Sequence, residues 1–275
     1  MSTVLECWRY PVKSAVGEAV DQLTVTQSGV AGDRLWAVMD GDGTVVSAKH
    51  PARGGRLLQV AAEYDEATSG VRILVPGHPA HPAGSAAAAA ALSQWLDRPV
   101  TLADTVPDGL RLHRLWPADQ GMVPDWETDV RPGQEAVTPV KGAARRRFAD
   151  YGPVHLVTTG GLARLAEVRG CAVPPVRFRP NLLLDLPADP MPGDVLTIGA
   201  TALRVDLPTP RCIIPSLPQP GAGQADTGLL RALARHHREH VPGLGRAAVF
   251  GCYADVTRPG RVETGAEVRV VSPNC

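Results

Sequence analysis

The chain has 275 residues, 44% hydrophobic but only 4% aromatic, so its core is aliphatic and its size suits one large domain or two intimate ones. Lys plus Arg and Asp plus Glu both total 28, which leaves no global field to attract nucleic acid or a membrane surface. Five cysteines (Cys7, Cys171, Cys212, Cys252, Cys275) form an odd set with no CxxC pair, which argues against a disulfide framework or a structural zinc site.

No apolar run approaches the ~18–20 residues of a membrane span. The stretch from Met1 to Glu6 lacks the basic and apolar regions of a signal peptide. The expectation is a soluble, cytoplasmic protein in a reducing compartment.

Residues 3–75 read as all-β. A short strand from Val4 stops at Pro11, and Asp21–Thr26 alternates polar and apolar residues, the pattern of a half-buried strand. Gly29–Asp33 is a turn. Leu35–Met39 and Thr44–Ala48 flank Asp40-Gly41-Asp42-Gly43, a hairpin signal. Further strands are expected at Leu57–Tyr64 and Val71–Val75. Close spacing and Gly-rich turns point to a small barrel or a curled sheet. Ser85 through Leu96 is a helix, N-capped by Ser85 and ended by Pro99.

Residues 105–150 are the least regular part, and a loop of that length is either functional or disordered. The run Arg145-Arg146-Arg147 within it reads as a solvated patch. Regular structure resumes at Pro153. A strand at 154–157, the turn Thr158-Thr159-Gly160-Gly161 and a helical segment follow. Unpaired N–H groups of a helix start suit an oxyanion, though a simple threonine N-cap explains the same pattern. Arg179 and Asn181 flank Pro180 before an apolar strand. Asp226–Glu239 is a second helix, with His236, His237 and His240 near its end. No glutamate stands between them in the HExxH manner, so they are not read as metal ligands. Strands at Val249–Val256 and Ala266–Val271 close the chain.

The segment Leu207–Ser216 organises this reading. Pro208, Pro210 and Pro215 surround Arg211-Cys212, and proline does not continue a central strand. The result is a stiff loop that puts one thiol beside one guanidinium. A neighbouring cation favours the thiolate, which is both the nucleophile and the metal-binding form. Packing as a small buried hydrophobe is the competing role for Cys212. No GxGxxG, GxxxxGK[ST] or GxSxG motif is present. Scattered Lys, Ser, Arg, Thr and Asn residues at strand ends instead suit an anionic, hydrogen-bonding cofactor with a soft centre.

These pieces resemble the MOSC family, the molybdenum cofactor sulfurase C-terminal domain proteins, preceded by the β-barrel domain that often accompanies them. The resemblance runs through Tyr10-Pro11-Val12-Lys13-Ser14, Gly32-Asp33-Arg34-Leu35-Trp36, Phe178-Arg179-Pro180-Asn181, Arg211-Cys212 and Phe250-Gly251-Cys252-Tyr253. It implies a mainly β fold with a few helices (α+β). An N-terminal barrel-like domain is expected at 1–115, an irregular connection at 116–150 and a MOSC β-barrel domain at 151–275. It implies the molybdenum cofactor (molybdopterin), with Cys212 as metal ligand and catalytic residue. Lys13, Ser14, Arg34, Thr158, Thr159, Arg179, Asn181, Arg211 and Tyr253 would contact the cofactor. Pyridoxal phosphate would belong only to an upstream sulfur-donating partner.

The implied activity is reduction of N–O bonds in small N-hydroxylated substrates, with electrons from a separate flavin, haem or iron–sulfur protein. After the cysteine, this chain reads Pro215-Ser216-Leu217-Pro218-Gln219-Pro220-Gly221, where reductase-like members have a Val-Asp-Pro stretch ending in Thr-Gly. Two alternatives stand beside the reductase. One is a sulfur-carrying or C–S bond-processing protein that uses Cys212 as persulfide or nucleophile. The other is a non-catalytic cofactor-binding module.

Overall fold

Alternating burial drives most of this chain into strands, and the computed structural model describes residues 1–140 and 146–273. The largest sheet has nine strands. From one edge its order is Glu18–Val20, Val4–Arg9, Leu182–Leu184, Val154–Thr158, Gly245–Arg258, Thr201–Pro210, Val195–Ile198 and Val268–Val271, with Arg238–Val241 added beside Gly245–Arg258. All neighbours are antiparallel except Val154–Thr158 and Leu182–Leu184, which run parallel with Leu156 opposite Leu182. Helix α3 (Thr159–Arg169) leaves the first strand of that pair, in keeping with the crossover that parallel strands require.

A five-stranded sheet, Val100–Ala103, Ala37–Asp40, Val45–Val46, Arg111–Leu115 and Glu135–Pro139, stands apart. Two sheets of three strands complete the β structure. Among the described residues none of the four sheets closes on itself, so the expected barrels are open, curled sheets. Strands are shared between the two ends of the chain. Val4–Arg9 pairs with Leu182–Leu184, and Gln22–Thr26 pairs with Gly260–Glu263.

Among the described residues four helices pack on this framework. Helix α1 (Pro51–Gly54) is one turn. Helix α2 (Ala86–Leu96) is capped by Ser85, whose side chain accepts from the Ala88 N–H, and it buries Ala88, Ala91, Leu92 and Leu96. Helix α4 (Thr227–His236) is capped by Asp226 and buries Leu229, Leu230 and Leu233. Each such leucine contributes roughly 1.5–3 kcal/mol of burial free energy. These leucines join Leu165 of α3 and the stacked Phe178 and Phe250 rings in one core. No helix among the described residues is long and apolar enough to cross a membrane.

Several expectations are corrected. Leu57–Tyr64 is not one strand: Gly55–Gln59 forms a 3-10 turn and the strand begins at Ala61. Leu57 and Leu58 are both buried but in different clusters, Leu57 with Ile73 and Leu92, and Leu58 with Ala48 and Ile214. The irregular stretch holds an antiparallel pair, Arg111–Leu115 with Glu135–Pro139. The second helix ends at His236, so His240 lies in the strand Arg238–Val241, not at helical spacing from His236. Strand Thr201–Pro210 runs through Pro208 and Pro210, because register shifts between Val205 and Leu207 and between Pro208 and Pro210 absorb the missing N–H groups. Of the arginine run, Arg145 lies outside the described residues. Arg147 is not a solvated side chain: its guanidinium donates to the Val30 and Asp33 carbonyls at 2.6 and 3.1 Å.

Gly160, in the first turn of α3, lies against the Pro187 carbonyl, and a Cβ there would overlap it. Gly160→Ala is expected to lower stability by about 1–3 kcal/mol through this overpacking, read from the denaturant midpoint.

Candidate functional site

Strand Thr201–Pro210 ends by delivering Arg211 and Cys212 to the mouth of a cavity. The Arg211 N–H donates to the Ala248 carbonyl at 2.8 Å, holding the turn to the long strand beside it. A 3-10 turn at Ile214–Ser216 follows. Arg177, itself buried, donates to the carbonyls of Pro215, Leu217, Ala222 and Gln224, so one guanidinium stiffens the whole loop after the cysteine. Cys212 is half-buried, with Ala48, Leu58 and Ile214 on its apolar side. Cys7 and Cys252 are buried, and burial pushes the Cys252 thiol well above its ordinary pKa.

The opposite wall is built on Asp33. Its Oδ1 accepts from the Tyr10 N–H at 2.9 Å and from Asn181 Nδ2 at 3.0 Å, and its Oδ2 pairs with Arg34. Asn181 is 1% exposed. Its amide also donates to the Trp8 carbonyl and accepts from the His155 N–H. Tyr10 is fully buried against two guanidiniums, with Arg34 4.8 Å and Arg179 4.3 Å from the ring centroid. Ser14, Arg34 and Arg179 adopt left-handed φ values of +67°, +49° and +56°. Such strain in non-glycine residues gathers at functional sites.

Around the cavity stand Lys13, Arg34, Lys49, Arg114, Arg179 and Arg211, against a single lining carboxylate, Asp150, among the described residues. A chain of zero net charge has concentrated positive charge here. Lys13 and Lys49 both reach Asp150 Oδ1, at 2.7 and 2.8 Å. Burial would raise the Asp150 pKa, but the two ammonium groups outweigh it and hold the carboxyl well below the usual range. Burial lowers Lys13 to about 8 despite Asp150.

His155 is 2% exposed. Burial first, then Arg211, hold its imidazole well below the ordinary value, so it is neutral at pH 7. Arg211 Nη1 lies 3.4 Å from Nε2, which therefore accepts, and Nδ1 donates to the Arg179 carbonyl at 3.2 Å. Arg211 Nε, Arg114 Nε and Trp116 Nε1 are buried with no hydrogen-bond partner. These orphans are all donors, which calls for an acceptor-rich, anionic guest.

Of the residues expected from sequence, Lys13, Ser14, Arg34, Arg179, Arg211, Cys212 and Tyr253 share this cavity. Thr158, Thr159 and Asn181 are not among its lining. Thr158 Oγ1 accepts from the Gly161 N–H as an N-cap and donates to Asp189 at 2.6 Å. Thr159 donates to Asp185 at 3.0 Å. Two carboxylates thus face the start of α3, which is the wrong charge for a phosphate. Asn181 acts from behind the wall by joining Asp33 to the strands. Ser47, Lys49, Asp150, His155, Arg114 and Trp116 escaped the sequence reading. Polar residues at strand ends, Ser47-Ala48-Lys49 and Asp150-Tyr151, were the available signal.

A thiol at a strand end, a left-handed Arg-Pro-Asn corner and an anion-seeking cavity between the two ends of the chain define a class. The chain belongs to the MOSC-domain family: residues 143–269 match the MOSC domain and residues 1–98 match the MOSC N-terminal beta barrel domain. The family is linked to the molybdenum cofactor. Similar proteins include human mitochondrial amidoxime-reducing component 1, 24% identical across 98% of this chain and 82% of that protein. Rat mitochondrial amidoxime reducing component 2 is 23% identical, across 98% and 83%. Among solved structures, the YuaD protein from Bacillus subtilis aligns over 99% of this chain and 97% of its own, with a TM-score of 0.45 and 15% identity.

Asp150→Asn is expected to cost roughly 2–4 kcal/mol at pH 7, because two buried ammonium groups lose their counterion. A depressed carboxyl pKa stabilises the fold above the unfolded-state value of about 4 and is lost as pH falls through the folded value. The difference between wild type and variant should therefore shrink on going from pH 7 to pH 2 in denaturant titrations. Asn181→Leu leaves the Asp33 carboxylate and the His155 N–H short of partners and should cost about 3 kcal/mol or more, with the same readout.

Proposed function

We propose that this chain is an oxidoreductase that holds the molybdenum cofactor around Cys212 and reduces N–O bonds of small N-hydroxylated molecules. The carrying observation is the half-buried Cys212 thiol set in a cavity lined by Lys13, Arg34, Lys49, Arg179 and Arg211, with a buried N–H donor left over on Arg211 Nε. This donor set fits the group. Thiolate is a soft ligand for the metal, and arginine and lysine suit a phosphate and a polar pterin edge. Lys13, Ser14, Arg34, Arg179 and Arg211 would hold its anionic and polar parts, and Tyr253 would close one side. When bound, the cofactor supplies a metal able to take an oxygen atom and exchange two electrons.

Cleaving an N–O bond to N–H and water consumes two electrons and two protons. The electrons come from a separate redox protein, in the cytoplasm. Lys13 Nζ, lowered by burial to about 8 and held on the Phe148 carbonyl and Asp150, is charged at pH 7 to meet an anionic guest. The Tyr253 hydroxyl stays protonated because burial raises its pKa. Neutral His155 keeps the Arg211 guanidinium aimed along the cavity without adding charge. The names of the relatives, amidoxime-reducing components, support the reaction class.

Protein purified from a host that makes the cofactor should carry near-stoichiometric molybdenum. Cys212→Ser should lower that content about tenfold or more, because the soft ligand is lost. Mass spectrometry for metal and fluorescence of the oxidised pterin read both. No molybdenum in either protein, together with a persulfide on Cys212, would instead favour the sulfur-transfer reading.

A further inference from the structure

Residues 99–142 lie between the two family-matched regions. This unmatched stretch nonetheless supplies Arg114, Trp116, Pro124 and Trp126 to the cavity. Its backbone is fixed there. The Leu115 N–H donates to the Lys49 carbonyl at 2.8 Å, and the Trp116 N–H donates to the Gln134 carbonyl at 2.9 Å. The Asp125 N–H donates to the Arg246 carbonyl at 3.0 Å.

Trp116 is 3% exposed, yet its indole N–H has no partner. A buried tryptophan N–H ordinarily finds one. The Arg114 guanidinium lies 4.4 Å over the Trp116 ring. It makes no hydrogen bond or ion pair among the described residues. Stacking on an indole orients a guanidinium while leaving its N–H edge available. Lys13, Lys49, Arg34 and Arg179 are differently placed: each already reaches a carboxylate or a carbonyl.

We propose that Arg114 and Trp116 form the substrate-recognition wall of this cavity, and that the substrate is a planar aromatic acid. Its carboxylate accepts from the Arg114 edge and the Trp116 indole N–H, and its ring is bounded by the indoles of Trp116 and Trp126. Its reducible group points towards Cys212. This inference rests on reading the cavity as an active site. It adds a selectivity: a planar cation of the same size meets the Arg114 charge and is rejected.

The test uses benzoate and benzamidine as a matched planar anion and cation. Both are titrated calorimetrically into protein purified from a cofactor-producing host, and the molybdenum content of every variant is measured. Wild type should bind benzoate about tenfold or more tightly than benzamidine. Arg114→Gln should weaken benzoate by about tenfold, leave benzamidine no weaker, and keep the metal content. Trp116→Phe, which retains a ring but not the N–H, should weaken benzoate by a smaller factor at unchanged melting temperature.

Benzoate affinity unchanged in Arg114→Gln would place the anion on the deeper cations and overturn the proposal. Loss of molybdenum in Arg114→Gln would assign this residue to the cofactor and overturn it equally. Failure of the cofactor reading shows separately, as wild-type protein without molybdenum. The comparison of benzoate in wild type and Arg114→Gln decides the recognition wall in that case too.

Discussion

The carboxylate of Asp33 ties this structure together. It is 3% exposed, and a buried charge is stable only when paired and hydrogen-bonded. Its partners are the adjacent Arg34 and two distant residues, Tyr10 at the first strand's exit and Asn181 at the Arg-Pro-Asn corner. Satisfying one carboxylate therefore brings the amino-terminal strands against the carboxy-terminal half. Gly32 allows the turn, with φ of +78° and no room for a Cβ beside Tyr64 and Arg9. With the clamp closed, the Arg34 and Arg179 guanidiniums both stack on the Tyr10 ring, 4.8 and 4.3 Å from its centroid.

Two of the cations that result are held without being neutralised. Arg179 donates to the Ala15 carbonyl and Arg211 to the Phe178 carbonyl. Carbonyl acceptors fix the geometry and leave the net charge intact. Arg34 pairs with Asp33, and Asp150 partly offsets the Lys13 and Lys49 pair. The charge in the cavity is thus preorganised for an anionic guest, and its cost is carried by the surrounding hydrogen bonds and by the strained backbone at Ser14, Arg34 and Arg179.

Two layers of the cavity come from two kinds of sequence. The family-matched regions supply the thiol, the deep cations and the clamp. The stretch between them supplies Arg114 and the indoles. Holding a cofactor and choosing a substrate are separable tasks, and one fold supports different choices by varying the segment that faces the substrate.

Local patterns were legible in the sequence because they depend on neighbours. The alternation of Gln22–Thr26, the Ser85 cap of α2 and the Asp-Gly hairpin at residues 40–43 all appear as read. The ordered motifs around Lys13, Arg34, Arg179 and Cys212 also carried the family. What failed were places where long-range packing overruled a local rule. Leu57 and Leu58, which pack into two different clusters, sit in a 3-10 turn and not in a strand, and bulges let a strand pass Pro208 and Pro210. Thr158 and Thr159 were sound as a helix start, but Asp185 and Asp189 reach them from a later loop. The chain's composition and motifs by themselves determined a mainly β, MOSC-type protein with an Arg-Cys pair at the end of a strand. Only the tertiary structure decided that Lys49, Asp150, His155, Arg114 and Trp116 join it. They come from three stretches tens of residues apart, and no local periodicity encodes a convergence that the sheet pairing and the Asp33 clamp create.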